Sequence, residues 1–263
     1  MARRGAGELN AREAGDLDTC EAGDLDTCGA GELDTCGAGE LSIRVALYYA
    51  PALSDPLWPA ACSWLGRDPE TAATLKQPDV PDIHAVTADA RLYGFHCTLK
   101  PPMRLATNYR AFVDDAAALA RTLAPFAMPR LHVADLSGFL AVREAEPCPA
   151  LHALADACVA GVDRHRAPAD EAELARRRKG GLSAAREANL VRWGYPGVFD
   201  EWRFHMTLTR RLTNAEHAVF RPAAETYLAR ALPHPRRVEE ICVFTQAGPG
   251  AAFTVAERLP LRG

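Results

Sequence analysis

One short motif, in which a histidine is followed by any residue, a threonine and a leucine, occurs twice in the chain. The first copy begins at His96 in YGFHCTLKPP and the second at His205 in WRFHMTLTRR, 109 residues later. An imidazole with its ordinary pKa near 6.5 can take up or release a proton close to neutral pH. Two such groups can therefore supply both the base and the acid of one reaction.

Strand geometry predicts which side chains of each copy act together, because alternate residues of a β-strand face the same side. Each copy then presents an imidazole, a hydroxyl and a cation on one face, with apolar residues opposite. These side chains are His96, Thr98 and Lys100 in the first copy and Arg203, His205 and Thr207 in the second.

Together these groups suit the hydrolysis of a phosphodiester. One neutral imidazole would take a proton from water while its protonated partner gives a proton to the leaving alkoxide. The hydroxyls of Thr98 and Thr207 would hold non-bridging phosphate oxygens, and Lys100 and Arg203 would balance their charge. This chemistry requires neither a metal nor a cofactor, but it does require that the two motifs converge across one cleft.

The order of predicted elements around the motifs supports such a convergence. Each motif strand is followed by an amphipathic helix and then by a hairpin, the first turning near Ser137 and Gly138 and the second through AGPG. A strand over SIRVALYYA precedes the first motif, a polar loop region runs to about Ala90, and Thr107 is the expected helix cap. The chain thus contains two similar halves, separated by an arginine-rich helical insert at about residues 147–197.

The first 41 residues differ from the rest. They repeat an acidic octad, AGDLDTCE and its variants, with too few apolar residues to build a core, so we expect a disordered tail over 1–41 and one two-lobed domain over 42–263. The tail carries three Arg against ten Asp and Glu, a net of −7, which leaves +3 from the total of −4. A mildly basic body suits a small anionic substrate better than a dedicated nucleic-acid interface.

Composition excludes several other classes of protein. The apolar stretches are too short to cross a bilayer and the first residues lack a signal-peptide core, so we expect a cytoplasmic protein. The cysteines outside the repeat form no C-x-x-C pair and show no zinc-ligand spacing with histidines, so they imply neither a disulfide framework nor a structural zinc site. The sequence gives no indication of the oligomeric state.

The chain resembles the two-histidine (2H) phosphoesterase superfamily, which includes RNA cyclic phosphodiesterases and 2′,5′ RNA ligase-like proteins. Three segments look like the branch encoded beside phosphonate-degradation genes: YGFHCTLKPP, LARRRKGGLSAAREANLVRWGYP and RFHMTLTRRL. The resemblance covers essentially Ser42 to Leu261. It implies an α+β fold with two pseudo-symmetric antiparallel-sheet lobes and outer helices around a central cleft, and it implies catalytic roles for His96, Thr98, His205 and Thr207.

The resemblance also implies a substrate, 5-phosphoribosyl 1,2-cyclic phosphate, whose ring would be opened to a monoester. Further candidate contacts to the substrate are Tyr93 and Tyr195, by stacking, and Arg177, by phosphate recognition. A structural role in packing or in a solvated loop is the alternative for each of the three. Three other hypotheses remain open at this point: an RNA-end 2′,3′-cyclic phosphodiesterase, a non-catalytic module that binds a nucleotide or RNA end, and a histidine-based metal site.

Overall fold

The computed structural model describes residues 43–263, so the predicted tail over 1–41 lies outside the described residues. This part of the chain contains nine strands and eight α-helices. The strands are β1 (Arg44–Tyr49), β2 (Cys97–Arg104), β3 (Phe126–Ala127), β4 (Leu131–Leu136), β5 (Phe139–Glu144), β6 (Met206–Arg211), β7 (Arg237–Val238), β8 (Glu240–Gln246) and β9 (Thr254–Pro260). The helices are α1 (Leu57–Leu65), α2 (Ile83–Val86), α3 (Ala88–Tyr93), α4 (Tyr109–Thr122), α5 (Pro149–Gly161), α6 (Glu171–Arg178), α7 (Ala184–Trp193) and α8 (Asn214–Leu228).

Two antiparallel sheets form the frame, and each contains one of the two motif strands. The first sheet has the order β2-β1-β8-β9 and the second has the order β4-β5-β6, while β3 and β7 form a separate two-stranded ribbon. The predicted α+β class, with antiparallel sheets and helices outside them, is therefore confirmed. The hairpin β4–β5 turns at Ser137 and Gly138, which have the positive φ values of 51° and 95° that a two-residue hairpin turn requires.

The hairpins are exchanged between the two halves of the chain. The hairpin β4–β5 follows the first motif strand along the chain but pairs with β6, the second motif strand. The hairpin β8–β9 follows the second motif strand but pairs, through β8, with β1 of the first sheet. Each motif strand thus lies in a sheet that a hairpin from the other half completes.

Buried apolar side chains explain why the sheets hold the motif strands firmly. In β1 every residue from Val45 to Tyr49 is buried, and Cys97 and Leu99 of β2 and Met206 and Leu208 of β6 are buried as predicted for the face opposite the histidines. Helix α5 packs on β2, and α3 packs on β6. Burial of this apolar surface is the main term that fixes both motif strands in the frame.

Two local predictions need correction. The polar loop expected up to Ala90 contains α2 and α3, whose buried residues Ile83, Val86 and Ala90 follow helical spacing. The cap of α4 is Asn108, whose extended backbone lets its side chain accept a hydrogen bond from the Ala111 amide at 2.8 Å.

The predicted helical insert contains α5, α6 and α7. Helix α6 buries none of its residues against the core, and its first turn is linked to β2 by ion pairs of Arg104 with Asp170 at 3.4 Å and with Glu173 at 3.9 Å. The insert therefore brings a polar, cation-rich helix beside the strand that follows His96. Within residues 43–263 no helix has the length and apolar character needed to cross a membrane.

Candidate active site

One cleft is lined by residues of both motif strands, the strand β1 and the helices α3 and α6. Both His96 and His205 line it, each placed immediately before its strand. The structure therefore brings the two motifs together, although 109 residues separate their histidines. The other lining side chains include Arg44, Tyr48, Asp89, Tyr93, Thr98, Arg176, Arg177, Tyr195, Thr207, Thr209 and Arg210.

The two imidazoles are held in the same way. The Nδ1 atom of His96 lies 2.9 Å from the carbonyl oxygen of Gly94, and Nδ1 of His205 lies 2.8 Å from the carbonyl oxygen of Arg203. Because a carbonyl oxygen only accepts, Nδ1 is the donor in both bonds, which leaves Nε2 of each neutral imidazole as the nitrogen able to accept a proton. Nε2 of His96 lies 3.3 Å from the hydroxyl of Thr98.

The carbonyl that holds His96 depends on a glycine. Gly94 has φ of 77°, and a Cβ atom added there would lie 2.7 Å from the ring of Pro69. A side chain at this position would therefore meet both backbone strain and a steric clash. Only glycine lets the chain turn out of α3 and present its carbonyl oxygen to the imidazole.

Threonine hydroxyls line the cleft beside the histidines. Thr98, Thr207 and Thr209 all contribute to the lining, as strand alternation predicts for β6. The hydroxyl of the fully buried Thr209 accepts a hydrogen bond from the amide of Leu140 at 3.0 Å, which ties β6 to its neighbour β5. Thr98 and Thr207 are half-buried and occupy corresponding positions in the two motifs.

A buried tyrosine forms the floor of the cleft under His96. The ring of Tyr48 stacks on the imidazole with centroids 3.7 Å apart and planes at 19°. Burial raises the pKa of the Tyr48 phenol well above its ordinary value, and the neighbouring Tyr93 raises it further. Tyr48 is therefore a neutral aromatic support for His96 at physiological pH.

Lys100 does not line this cleft, which corrects the prediction that it shares a face with Thr98. In the pairing of β1 with β2, Tyr48 lies opposite Thr98 but Leu47 lies opposite Lys100, so Leu99 is an extra residue in β2. Such a bulge reverses the alternation of side chains. The Lys100 side chain is only 1% exposed, and Nζ donates to Asp163 Oδ1 at 2.6 Å and to the Val159 carbonyl oxygen at 3.2 Å.

Arg203 does not line the cleft either. Its side chain is exposed just before β6, and Nη1 donates to the carbonyl oxygens of Asp200 and Trp202, both at 2.7 Å. The side chain is engaged with its own loop, and its contribution to the site is the backbone carbonyl that holds His205.

The remaining predicted contact residues, Tyr93, Tyr195 and Arg177, do line the cleft. The guanidinium of Arg177 lies over the Tyr195 ring, 4.9 Å from its centroid, and pairs with Glu173 at 2.9 Å. Tyr93 stacks on Phe253 with centroids 5.2 Å apart.

Sequence reasoning missed several residues of the lining: Arg44, Tyr48, Asp89, Arg176 and Arg210. Arg210 directly follows the second motif, and its guanidinium pairs with Glu216 at 2.8 Å. Strand parity in β1, which places Arg44 and Tyr48 on one face, is a signal that could have found two of them. Within residues 43–263 no group of three or more His, Cys, Asp or Glu side chains is arranged to hold a metal ion.

Comparison with known proteins identifies a family and two similar proteins. The family model described as "Protein of unknown function (DUF1045)" matches residues 98–254. The chain is 38% identical over 231 residues to Ribose 1,5-bisphosphate phosphokinase PhnN of Janthinobacterium sp. (strain Marseille) and 36% identical over 217 residues to the protein of the same name from Laribacter hongkongensis (strain HLHK9). The matches cover 84% and 80% of this chain but 51% and 50% of those proteins, so the chain spans about half the length of the curated relatives it matches.

Solved structures overlap with the chain more loosely. A crystal structure of a phosphoesterase gives a TM-score of 0.37 at 15% identity and covers 84% of this chain and 99% of that one. The structure of E. coli LigT complexed with 3′-AMP gives a TM-score of 0.38 at 13% identity and covers 84% of this chain and 98% of that one.

Proposed function

The chain belongs to the DUF1045 family, and from its cleft we propose that it is a metal-independent cyclic phosphodiesterase that opens a small cyclic phosphate to a monoester. The observation that carries this proposal is the paired arrangement of His96 and His205. Both line one cleft, and both have Nδ1 fixed by the carbonyl oxygen two residues earlier. In each imidazole Nε2 is therefore the nitrogen that takes part in proton transfer.

In the proposed reaction one neutral imidazole accepts a proton from water at Nε2 as the water oxygen attacks phosphorus. The bond from phosphorus to one ring oxygen breaks, and the other histidine, in its protonated form, gives that leaving oxygen its proton. The hydroxyls of Thr98 and Thr207 donate to the non-bridging oxygens, where negative charge is concentrated. The product is a phosphate monoester with a free hydroxyl group, and each histidine ends in the protonation state that its partner began with.

We propose 5-phosphoribosyl 1,2-cyclic phosphate as the substrate. The cationic side chains of Arg44, Arg176, Arg177 and Arg210 in the cleft support a ligand with a second phosphate. The name of the two similar proteins adds support, because it specifies ribose 1,5-bisphosphate as what they act on. Breaking the bond from phosphorus to O2 leaves the phosphate on O1, so the product would be ribose 1,5-bisphosphate.

The test is to incubate the purified chain with 5-phosphoribosyl 1,2-cyclic phosphate and, separately, with an RNA fragment that ends in a 2′,3′-cyclic phosphate. Phosphorus NMR would follow the loss of the cyclic signal, and ¹⁸O-labelled water would place one label in the phosphate of the monoester. We expect rapid conversion of the ribosyl compound to ribose 1,5-bisphosphate and slower turnover of the RNA end. The proposal fails if neither compound is opened, or if turnover survives unchanged in His96→Ala and His205→Ala.

A non-catalytic binding module is the competing hypothesis for the same cleft. It predicts that the wild-type chain binds the cyclic compound without opening it. The proposed enzyme instead predicts that the two alanine variants still bind the compound but no longer turn it over. Equilibrium binding measured beside turnover therefore separates the two hypotheses.

A further inference from the structure

Two arginines of the cleft rest on aromatic rings. The guanidinium of Arg44 lies 5.7 Å from the centroid of Phe253, and that of Arg177 lies 4.9 Å from the centroid of Tyr195. A planar guanidinium supported in this way keeps its donors in a fixed direction, which favours recognition of a phosphate over an arbitrary solvated position. Both arginines line the cleft that contains His96.

Arg44 brings an uncompensated positive charge. Its Nε donates to the side-chain oxygen of Gln246 at 2.6 Å, which is a neutral partner. Within residues 43–263 no carboxylate forms an ion pair with this guanidinium. Arg210 differs, since Glu216 already neutralises it through contacts at 2.8 and 3.2 Å. The charge of Arg44 therefore remains for a ligand.

One hydrogen-bond donor of Arg177 has no acceptor among the described residues. Its side chain is only 9% exposed, and Nη2 pairs with Glu173 at 2.9 Å. Its Nε is buried and has no hydrogen-bond partner within the described residues. A buried donor that is left unpaired is unfavourable, because it has lost its water without gaining an acceptor. Because Arg177 lines the cleft, an oxygen of a bound ligand could satisfy this donor.

Arg44 and Arg177 are connected by a short chain of contacts. In the pairing of β1 with β2, Arg44 lies opposite Arg104. Glu173 contacts both Arg104, at 3.9 Å, and Arg177, at 2.9 Å. Neither arginine belongs to a motif strand, so an anion that they hold leaves the two motif threonines to the reacting phosphate.

We propose that Arg44 and Arg177 form a second anion subsite, which holds a phosphate monoester that does not react. This proposal rests on the proposed cyclic phosphodiesterase function and narrows its substrate class to cyclic phosphates of sugars that carry a further phosphate group. Because Arg177 belongs to α6 and Arg44 to β1, the insert supplies one of the two arginines of this subsite. Glu173 contacts both Arg177 and Arg104 of β2, so it connects the subsite to the strand that follows His96.

Binding of ribose 5-phosphate, which has the second phosphate but no cyclic group, tests the subsite without any turnover. We expect Arg44→Gln and Arg177→Gln each to weaken its affinity by roughly 10- to 100-fold in calorimetry, the range for charge-assisted hydrogen bonds. The matched control is Arg178→Gln on the same helix, where the guanidinium pairs with Glu187 at 2.6 Å and lies outside the cleft lining. Arg44→Lys and Arg177→Lys preserve the charge and should recover part of the affinity.

Kinetics then separate this proposal from the function on which it rests. The two Gln variants should lose kcat/KM on 5-phosphoribosyl 1,2-cyclic phosphate but not on ribose 1,2-cyclic phosphate, which lacks the second phosphate. If the wild type opens cyclic phosphates but Arg44→Gln, Arg177→Gln and Arg178→Gln bind ribose 5-phosphate equally, the subsite is wrong and the function stands. Suppose instead that no cyclic phosphate is opened, but that Arg44→Gln and Arg177→Gln bind ribose 5-phosphate more weakly while Arg178→Gln does not. The proposed function is then wrong and the subsite stands.

Discussion

The ring of Tyr48 lies face to face with the imidazole of His96, with centroids 3.7 Å apart and planes at 19°. His205 instead meets the ring of Phe139 edge-on, at 69° and with centroids 6.1 Å apart. The two histidines thus share their Nδ1 hydrogen bonds but differ in how an aromatic ring lies against them. Stacking on Tyr48 fixes the plane of the His96 ring.

Tyr48→Leu should lower kcat by about 10-fold, since an aromatic pair contributes about 0.5–1.5 kcal/mol. Tyr48→Phe retains the ring and should keep most of the activity. Steady-state kinetics over a range of pH measures both variants, with circular dichroism to confirm folding. Equal losses in the two variants would show that the hydroxyl, and not the stacked ring, supports His96.

His96→Ala and His205→Ala should each lower kcat by about 10²- to 10⁴-fold with little change in KM, because each removes one proton transfer. The wild type should give a bell-shaped profile of kcat/KM against pH, and each variant should lose one limb of it. The double variant should be little worse than the poorer single variant, since the two groups act as a unit. A loss confined to KM would contradict acid–base roles.

Incubation with EDTA followed by gel filtration should leave the rate of ring opening unchanged, because two imidazoles supply both proton transfers in the proposed reaction. Adding Zn²⁺, Mn²⁺ or Mg²⁺ back to the treated protein should not raise the rate. Recovery of lost activity by one of these ions would point to metal-assisted hydrolysis.

The buried pair of Lys100 and Asp163 should matter for stability and not for substrate binding. Asp163→Asn should destabilise the protein by about 3–5 kcal/mol in urea denaturation, because it leaves the Lys100 ammonium buried without its counter-charge. Lys100→Met should cost less, since Arg166 remains 2.8 Å from Asp163. If a fully folded Lys100→Met variant turned over substrate with a strongly reduced kcat/KM, Lys100 would be restored as a substrate contact.

The depressed pKa of Glu216 predicts how the stability of the protein changes at acidic pH. Hydrogen bonds from Arg210 and from the Thr213 backbone lower its pKa from 4.5 to about 2. A carboxyl whose pKa is depressed by folding stabilises the native state above its unfolded pKa, and that contribution is lost as the pH falls from about 4.5 toward 2. Glu216→Gln should therefore melt at a lower temperature than the wild type at pH 7 and at a similar temperature near pH 2. A constant difference across this range would contradict the charged capping box at Thr213.

The motif pattern was sufficient to predict which strand faces meet in the cleft, but only as far as regular alternation holds. His96, Thr98, His205, Thr207 and Thr209 all line the cleft, as parity predicts. The prediction for Lys100 is wrong because the extra residue at Leu99 shifts the register of β2 against β1. The sequence carries no reliable sign of such a bulge.

The arginines of the cleft were harder to predict for a different reason. Arg44 lies at the start of β1 and Arg210 at the end of the second motif, so each is an isolated cation in a separate segment. Only the tertiary arrangement of β1, β6 and α6 brings these arginines to one cleft. The ring beneath Arg44 is that of Phe253, near the other end of the described chain, whereas the ring beneath Arg177 is that of Tyr195 in the same insert.

The exchange of hairpins affects how the protein is made. The sheet of His205 can close once the ribosome has released residue 211, but the sheet of His96 needs β8, which ends at Gln246. His96 comes before His205 in the sequence, but the sheet that holds His96 is completed later during synthesis. A nascent chain halted between these two positions should hold His205 in a complete sheet while the sheet of His96 still lacks β8. Because β1 pairs with β8 from a distant part of the sequence, the first sheet should also fold slowly.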